Sequence, residues 1–310
     1  MTSGGNLSPF GEIVVIANPH SGRGAAGAGL AGIERALRDA GLGYRIARTA
    51  GGGHATELAR DALRGGGRYL VAAGGDGTVH EVVNGMLDDD DGRPAAADAV
   101  LGGRACGSGC DFVRTFGLPG DVTVAVRHLA GDSVRRIDVG RLTCTPGVTR
   151  YFTNIAEAGL GGTVVARTAG LPAFLGGARY LCGFWLTLPG FRPATVRLEA
   201  DGQAYQWRAH NLVVANCRFY GGGMQISPAS EPDDGALDVL VMAGPKSDAF
   251  TTLPRVYRGT HLPHRNIAAL RAGRLRVDAD PPFDIEADGE VLGTTPATFE
   301  VIPGAIQLKI

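Results

Sequence analysis

YLVAAGGDGT, residues 69–78, joins a short apolar run to a glycine-rich turn. The run has the length of a buried strand in a parallel sheet, and residues 79–87 predict a helix after the turn. Thr78 and Glu81 have the spacing of a capping box, so we expect the helix to begin at Thr78. A strand, a glycine turn and a helix start together expose backbone N–H groups, which can bind a phosphate.

Asp76 is the unexpected residue of this turn. A carboxylate repels a phosphate unless a metal ion lies between them, or unless the carboxylate accepts a proton from an attacking hydroxyl. The loop and the acid together therefore favour a nucleotide phosphate, Mg²⁺ and phosphoryl transfer. The alternative is a left-handed turn with Asp76 as a helix cap, and the pentapeptide alone does not decide between the two.

Composition excludes several classes of protein. The chain has 310 residues and a formal net charge of −1, whereas nucleic-acid binders are strongly basic. Five scattered cysteines predict neither a disulfide framework nor a zinc site, and they suit a reducing compartment. We see no signal peptide and no apolar run of about 18 residues, so we expect a cytoplasmic protein without a membrane-spanning helix.

The first part of the chain repeats a strand–loop–helix pattern four times. The predicted strands are 12–17, 44–49, 69–73 and 99–101, and the loops that end them are 18–22, Thr49, 74–78 and 107–111. Such a succession predicts a Rossmann-like parallel sheet with helices on both faces. Ligands of these sheets bind at the carboxyl ends of the strands, where all four loops converge.

A second glycine pattern invites a different interpretation. Gly22, Gly24 and Gly27 fit G-x-G-x-x-G, the fingerprint of dinucleotide-binding folds. That fingerprint requires an acidic residue at the end of the second strand, and residues 44–49 contain none. The missing acidic residue therefore argues against a nicotinamide cofactor for hydride transfer.

After about residue 133 strand-like runs dominate. We predict a first domain over 1–133 and a second, mostly antiparallel β domain over 134–310, with the last strand able to return to the first domain. Helices near 177–188 and 246–259 interrupt the second domain, and a cleft between the domains is the expected active site. The predicted strands are 134–142, 151–156, 194–198, 205–215, 237–242, 275–277, 283–287, 298–302 and 306–310.

Five motifs in order resemble the bacterial diacylglycerol kinase and sphingosine kinase-like lipid kinases. The chain has NPHSG at 18–22 where that family has N-P-x-S-G, GGDGT at 74–78, and ACGSGCDFVR at 105–114 where the family has P-x-G-T-x-N-D-F-A-R. The fourth motif is a second-domain signature made of YGGGM at 220–224, SP at 227–228 and DDGALD at 233–238, and the fifth is DGE at 288–290. The resemblance covers nearly the whole chain.

The resemblance implies an ATP-dependent kinase that phosphorylates a lipid hydroxyl such as that of diacylglycerol. Its first domain would be similar to those of NAD kinases and phosphofructokinases. The implied nucleotide-binding residues are Asn18, Pro19, His20, Ser21, Gly22, Thr49, Gly74, Gly75, Asp76, Gly77, Thr78, Glu81 and Ser108.

The resemblance also implies catalytic and metal-binding residues. Asp76 would act through Mg²⁺ or orient the reacting groups, and Glu290 would be the general base, with Asp288 beside it. A second-domain Mg²⁺ site would fall on Glu231, Asp234 and Ala236. From the residues alone, Asp288-Gly289 is also a good hairpin turn, and an acid can be mounted on such a turn.

The chain departs from the family pattern in places. Cys110 replaces the family's Asn, and Gly161 stands where many members carry an acid. These departures leave two alternatives open: a catalytically weak nucleotide- or lipid-binding protein, and an NAD kinase-like enzyme with a soluble acceptor. As a lipid kinase the chain would contact the inner membrane surface transiently, and its sequence leaves open whether it forms a homodimer.

Overall fold

The computed structural model describes residues 8–21, 25–88, 91–105, 110–168, 170–172, 175 and 178–310, with the backbone alone for 25–28, 104 and 105. The chain falls into two compact units. The first comprises Met1–Ile137 and Gly304–Ile310, and the second comprises Asp138–Pro303. The sequence analysis set the division after residue 133.

Parallel strands form the sheet of the first unit. The strands are β1 (Ile13–Ala17), β2 (Tyr44–Arg48), β3 (Tyr69–Gly74) and β4 (Val100–Ala105), and the helices are α1 (Ala25–Asp39), α2 (His54–Arg64), α3 (Asp76–Met86), α4 (Asp111–Phe116) and α5 (Val122–Ala130). The strand order is β4-β3-β1-β2. All residues of β1 and β3 are buried, as expected for apolar strands that helices cover on both faces.

The predicted start of α3 is wrong. The helix begins at Asp76 and not at Thr78, and the residue before it, Gly75, makes no side-chain cap. Glu81 does not complete a capping box. Its Oε2 accepts the N–H of Ala55 at 3.0 Å, at the start of α2. Glu81 therefore stabilises the N-terminus of the neighbouring helix, where a negative charge is favourable.

Antiparallel pairing dominates the second unit. Its strands are β5 (Val134–Thr145), β6 (Val148–Phe152), β7 (Ile155–Gly159), β8 (Ala194–Ala200), β9 (Gln203–Ala209), β10 (Asn211–Ala215), β11 (Leu237–Met242), β12 (Ile267–Ala272), β13 (Arg274–Asp280), β14 (Asp284–Ala287) and β15 (Glu290–Lys309). One path runs β12-β11-β10-β7-β14-β15, and β9-β8-β13 joins it at β15. The predicted fold class, a parallel α/β region followed by a mostly antiparallel β region, is confirmed.

Among the residues that the structure describes, the second unit has the helices α6 (Leu160–Thr168), α7 (Ala178–Thr187) and α8 (Asp248–Val256). The sequence analysis expected α7 and α8 but not α6. It also missed β12, whose sequence IAALRA is rich in residues that prefer helices. Pairing with β11 along six residues decides the strand conformation there.

Two long predicted strands are split in the structure. The run 151–156 is divided between β6 and β7, and the run 205–215 is divided between β9 and β10. Conversely, 298–302 and 306–310 are parts of one strand, β15, which continues through Pro303-Gly304. At its end, Gln307 and Leu308 pair in parallel with β4, so the last strand belongs to the sheet of the first unit.

The core of the second unit is built from aliphatic and phenylalanine side chains. Phe152 and Phe299 are fully buried, with their rings edge to face and their centroids 6.5 Å apart. Burial of this kind supplies most of the stability of a β unit. Among the described residues, no helix combines the length and the apolar character needed to cross a membrane.

Candidate active site

The turn after β3 is closely packed on one side and open on the other. A Cβ atom on Gly74 would lie 2.1 Å from Thr78 Oγ1, so only glycine lets α3 start this close to the strand. A Cβ on Gly77 would meet no atom within 4 Å. The start of α3 therefore leaves room for a ligand at the helix N-terminus.

Asp76 is held by the next helix of the site. Its Oδ1 accepts the N–H of Phe112 at 3.0 Å, and its Oδ2 accepts the N–H of Asp111 at 3.1 Å. The carboxylate thus caps α4. The sequence analysis considered Asp76 as a cap of its own helix, and the structure shows it as the cap of the next one. The two bonds hold the Asp76 carboxylate in a fixed orientation.

The other predicted nucleotide loops lie at the same edge of the parallel sheet. The N–H of Asn18 binds the Ala73 carbonyl at 3.1 Å, which ties the loop after β1 to β3. Asn18 Oδ1 accepts the N–H of His20 at 3.0 Å, and the N–H of Ser21 binds the Asn18 carbonyl. Pro19 lies within this turn. The structure therefore brings the loop after β1 beside the turn that holds Asp76.

Thr49 follows β2 at the same edge. It is buried, and its N–H binds the Ala17 carbonyl at 2.9 Å. The Glu81 carboxylate binds the N–H of Ala55 at the start of α2. Two predicted members, Gly22 and Ser108, lie outside the described residues.

Asp288-Gly289 forms the two-residue hairpin that the sequence predicts. Ala287 pairs with Glu290 across it, and both loop residues have positive φ, 48° and 88°. The Asp288 carboxylate accepts four hydrogen bonds of 2.8 to 3.1 Å, from the N–H groups of Thr153, Asn154 and Ile155 and from the Thr153 hydroxyl. These bonds fill the acceptor positions of the carboxylate. Asp288 therefore holds the turn between β6 and β7 in place.

Glu290 occupies the first position after this hairpin. Its carboxylate is partly exposed, and Oε1 lies 3.4 Å from Arg150 Nε. An acid at the end of a rigid two-residue hairpin has a well-defined position. The Glu290 side chain is 42% exposed, so a hydroxyl can approach its carboxylate.

Two acids of the predicted second-domain metal site lie beside arginines. Asp234 pairs with the guanidinium of Arg271, and its Oδ1 also accepts the N–H of Ala236 at 3.1 Å. Arg271 Nε lies 3.6 Å from Asp238, whose pKa is raised by burial. Glu231 lies 4.0 Å from Arg218.

The predicted ligands are the Asp234 carboxylate and the carbonyl oxygens at Glu231 and Ala236, which suit a hard cation, so the second-domain Mg²⁺ site stays a prediction. In the part of the chain that the structure describes, no group of three histidine, cysteine or acidic side chains could hold a metal.

A pocket in the second unit contains an acid that the sequence analysis overlooked. Glu157 is fully buried on β7; its Oε1 accepts Asn211 Nδ2 at 2.8 Å, and its Oε2 accepts the Tyr180 hydroxyl at 3.3 Å. Burial raises the pKa of Glu157 to about 7. In the sequence, Glu157 could have been noticed as a single acid inside the apolar run IAEAG.

Glu157 also explains the departure at Gly161. A Cβ on Gly161 would lie 2.1 Å from Glu157 Oε2. The carboxylate of Glu157 thus fills the space that a side chain at 161 would need. The acid that the resemblance led us to expect at 161 is absent, and a carboxylate from the neighbouring strand stands in its place.

Comparison with known proteins places the chain in a family. The model of the diacylglycerol kinase catalytic domain matches residues 12–142, and that of the YegS C-terminal NAD kinase beta sandwich-like domain matches 154–310. A diacylglycerol kinase from Bacillus subtilis is 30% identical over 92% of this chain and 91% of its own length. A YegS-like probable lipid kinase from Pseudomonas aeruginosa is 32% identical over 89% of this chain and 87% of its own.

A solved structure of a diacylglycerol kinase from Bacillus anthracis shares the fold. It covers 97% of each chain with a TM-score of 0.72 at 24% identity. Since both halves match family models and relatives of at least 30% identity extend over most of the sequence, the chain belongs to the diacylglycerol kinase and YegS family of lipid kinases.

Proposed function

We propose that the chain is an ATP- and Mg²⁺-dependent kinase that transfers a phosphoryl group to a lipid hydroxyl, such as that of diacylglycerol. The observation that carries this proposal is the turn after β3. It combines room at the N-terminus of α3 with a carboxylate that two N–H groups of α4 hold in one orientation. A helix N-terminus can bind the phosphate, and a fixed carboxylate can bind the metal ion that accompanies it.

Residues of the first unit bind the nucleotide in this proposal. The N–H groups at the start of α3 bind phosphate oxygens, and Asn18 and Thr49 border the same edge of the sheet. Asp76 holds Mg²⁺ through a carboxylate oxygen. When bound, Mg²⁺ neutralises the charge that develops on the transferred phosphoryl group. The fixed orientation of Asp76 then needs no reorganisation during the reaction.

Glu290 is the general base on the lipid hydroxyl in this proposal. The hydroxyl donates its proton to a Glu290 oxygen as the new O–P bond forms. Asp288 keeps the hairpin rigid through its bonds to residues 153–155 and is a positioning residue. Rigid placement matters because a small displacement of a catalytic group lowers the rate strongly.

The second unit offers a surface suited to transient contact with a membrane. Leu186 on α7 and Phe250 on α8 are 57% and 67% exposed, and the Trp185 and Phe250 ring centroids are 4.7 Å apart. Arg167 and Lys246 donate to backbone carbonyls of residues 186 and 189, which places two cations beside these apolar tips. An interfacial surface combines apolar tips with basic residues in this way.

A phosphorylation assay tests the proposal. The full chain is incubated with labelled ATP, Mg²⁺ and mixed micelles that contain diacylglycerol, other lipid alcohols or no lipid, and NAD is offered in parallel. We expect labelled lipid that depends on Mg²⁺. Labelled NAD without labelled lipid would support the soluble-acceptor alternative, and nucleotide binding without any product would support a catalytically weak binding protein.

A further inference from the structure

A solvent-open hollow in the second unit lies between helix α6 and the loops that follow α7 and β13. Its volume is about 490 Å³, within the range of small-molecule sites, which is roughly 300–1,000 Å³. Thr163 and Arg167 of α6 line one wall, and Phe191 and Arg192, after α7, line another. The third wall is formed by residues 281–284, which lead from β13 into β14. Three segments of the chain therefore bring two arginines to one hollow.

This hollow lies away from the proposed catalytic hairpin. Asp284, which lines the hollow, is the first residue of β14, and Ala287, at the other end of that strand, precedes the hairpin. The three steps of extended chain from Asp284 to Ala287 span roughly 10 Å. The hollow is therefore distinct from the hairpin that carries Glu290.

The two arginines carry charge that no acid neutralises within the described ranges. Both side chains are exposed, and neither Arg167 nor Arg192 forms an ion pair with a described residue. Arg167 donates an Nη1–H group to the Leu186 carbonyl at 2.9 Å, which fixes its guanidinium and leaves the remaining N–H groups available. Two such guanidiniums at one hollow favour an anionic ligand.

The acid in the wall of the hollow is bound to a hydroxyl. Asp284 Oδ2 accepts the Thr163 hydroxyl at 2.7 Å, and a Cβ on Gly162 would lie 2.6 Å from the Asp284 carbonyl oxygen, so α6 is held tightly against the start of β14. Two arginines against one aspartate give the described lining a net charge of +1, whereas the whole chain has −1. The hollow is therefore locally positive.

Apolar surface accompanies this charge. The rings of Phe191 and Phe283 pack with centroids 5.8 Å apart, and Pro281 and Pro282, both exposed, line the same hollow. The N–H of Phe191 binds the Thr187 carbonyl at 3.1 Å, which ties this loop to the end of α7. A bare inorganic anion would leave the apolar surface in contact with water. A ligand with an anionic group and an organic part covers both.

We propose that this hollow binds a phosphate monoester, with its phosphate on Arg167 and Arg192 and its organic part on Phe191 and the two prolines. Such a phosphate carries about −1.5 to −2 charges at pH 7, and its oxygens accept paired N–H donors from guanidinium groups. The inference goes beyond the proposed kinase reaction, because it assigns a ligand to a site away from the catalytic hairpin. A phosphorylated lipid and a soluble phosphorylated metabolite share this chemistry.

Calorimetry with three probes tests the inference. Hexyl phosphate, inorganic phosphate and hexan-1-ol are titrated into the full chain at pH 7.5, without ATP or Mg²⁺ and at about 0.15 M salt, which screens long-range attraction. We expect hexyl phosphate to bind at least about tenfold more tightly than inorganic phosphate, the factor that burial of two methylene groups supplies. Hexan-1-ol should not bind measurably. Binding of hexyl phosphate that is no tighter than that of either other probe overturns the inference.

Arg167→Gln and Arg192→Gln locate the site. Each should weaken hexyl phosphate binding about tenfold, the loss expected for a hydrogen bond to a charged group, and each should keep an intact fold in a thermal melt because its side chain is exposed. The matched control is Arg274→Gln, which should leave binding unchanged. Arg274 is exposed, has no ion-pair partner among the described residues and begins β13, whereas Pro281 follows the far end of that strand. Unchanged binding in both hollow variants, or an equal loss in the control, overturns the inference.

Vesicles distinguish the two sources of the phosphate. Phosphatidylcholine vesicles with and without phosphatidic acid are sedimented with the full chain and with Arg192→Gln. Sedimentation that requires phosphatidic acid and is lost in the variant supports the site and identifies a phosphorylated lipid as its ligand. If the variant weakens hexyl phosphate binding but changes no sedimentation, the site is supported and its ligand is a soluble phosphate monoester. Because no turnover is measured, an active lipid kinase that fails these tests keeps its proposed function and loses only this inference.

Discussion

Asp76→Asn separates the two roles that the structure and the proposal give to Asp76. The carboxylate caps α4 through two N–H bonds, and we propose that it also holds Mg²⁺. Asparagine has nearly the same shape but only one acceptor oxygen, and its amide would point an N–H group at a backbone N–H. At least one of the two capping bonds is therefore lost.

The substitution should lower the free energy of unfolding only modestly but should lower kcat strongly. Loss of one hydrogen bond to a charged acceptor lowers the free energy of unfolding by about 1.5–3 kcal/mol. That change lowers the Tm by several degrees and leaves nearly all of the protein folded at 25 °C. Loss of an oriented anion from a phosphoryl-transfer site lowers kcat by roughly 10²–10³. The kinetic loss thus greatly exceeds anything that unfolding can produce.

Asp121→Ala is the matched control. Asp121 caps α5 in the same unit, where its Oδ1 accepts the N–H groups of Thr123 and Val124 at 2.9 and 3.0 Å. Loss of this cap should lower the free energy of unfolding by about 0.5–2 kcal/mol and leave kcat/KM unchanged. The assay is lipid phosphorylation with saturating Mg²⁺, together with denaturant unfolding of the same samples. If both variants lose stability and both retain kcat/KM, Asp76 is a helix cap alone.

The remaining predictions concern the second unit. Glu290→Gln should lower kcat by roughly 10²–10⁴ in steady-state assays, because it removes the proton acceptor. The KM for ATP and the Tm should change little, because the ion pair with Arg150 that is also lost is exposed to solvent. Glu157 has a folded pKa of about 7 against an ordinary value of 4.5. Its contribution to stability is therefore complete below about pH 4.5 and is lost as the pH rises through 7. Denaturant unfolding at pH 5 and pH 8 should show this loss, and Glu157→Gln should abolish it. Gly161→Asp should destabilise the chain by several kcal/mol in denaturant unfolding, because its Cβ meets Glu157 Oε2, and Glu157→Ser in the same chain should restore much of the loss.

Each of these predictions has its own control and its own contrary outcome. Glu300→Gln controls for Glu290→Gln, since Glu300 lies on the same strand and also pairs with an arginine, Arg141, at 2.6 Å. Equal kcat values for these two variants would remove Glu290 from the mechanism. A stability that does not fall between pH 5 and pH 8 would contradict the raised pKa of Glu157. If the changes in the free energy of unfolding caused by Gly161→Asp and Glu157→Ser simply add, the two side chains do not compete for the same volume.

Two parts of the candidate site followed from the sequence, and one did not. The turn at 74–78 and the hairpin at 288–289 were predictable because glycine and aspartate in those patterns determine local backbone geometry. The acidic pocket was not, because a lone glutamate in an apolar strand gives no indication of what surrounds it. The capping box at Thr78 was predicted wrongly, because the Glu81 carboxylate binds the N–H of Ala55 at the start of α2.

The sequence by itself determined the parallel and antiparallel halves, most of their elements and the family, because periodicity and turn chemistry depend on near neighbours along the chain. Only the tertiary structure decided what each carboxylate does. Asp76 binds residues 35 and 36 positions away, Asp288 binds residues more than 130 positions away, and Asp234 pairs with Arg271. The energy of a charge depends on its burial and its partners, and both come from segments that meet only when the chain folds.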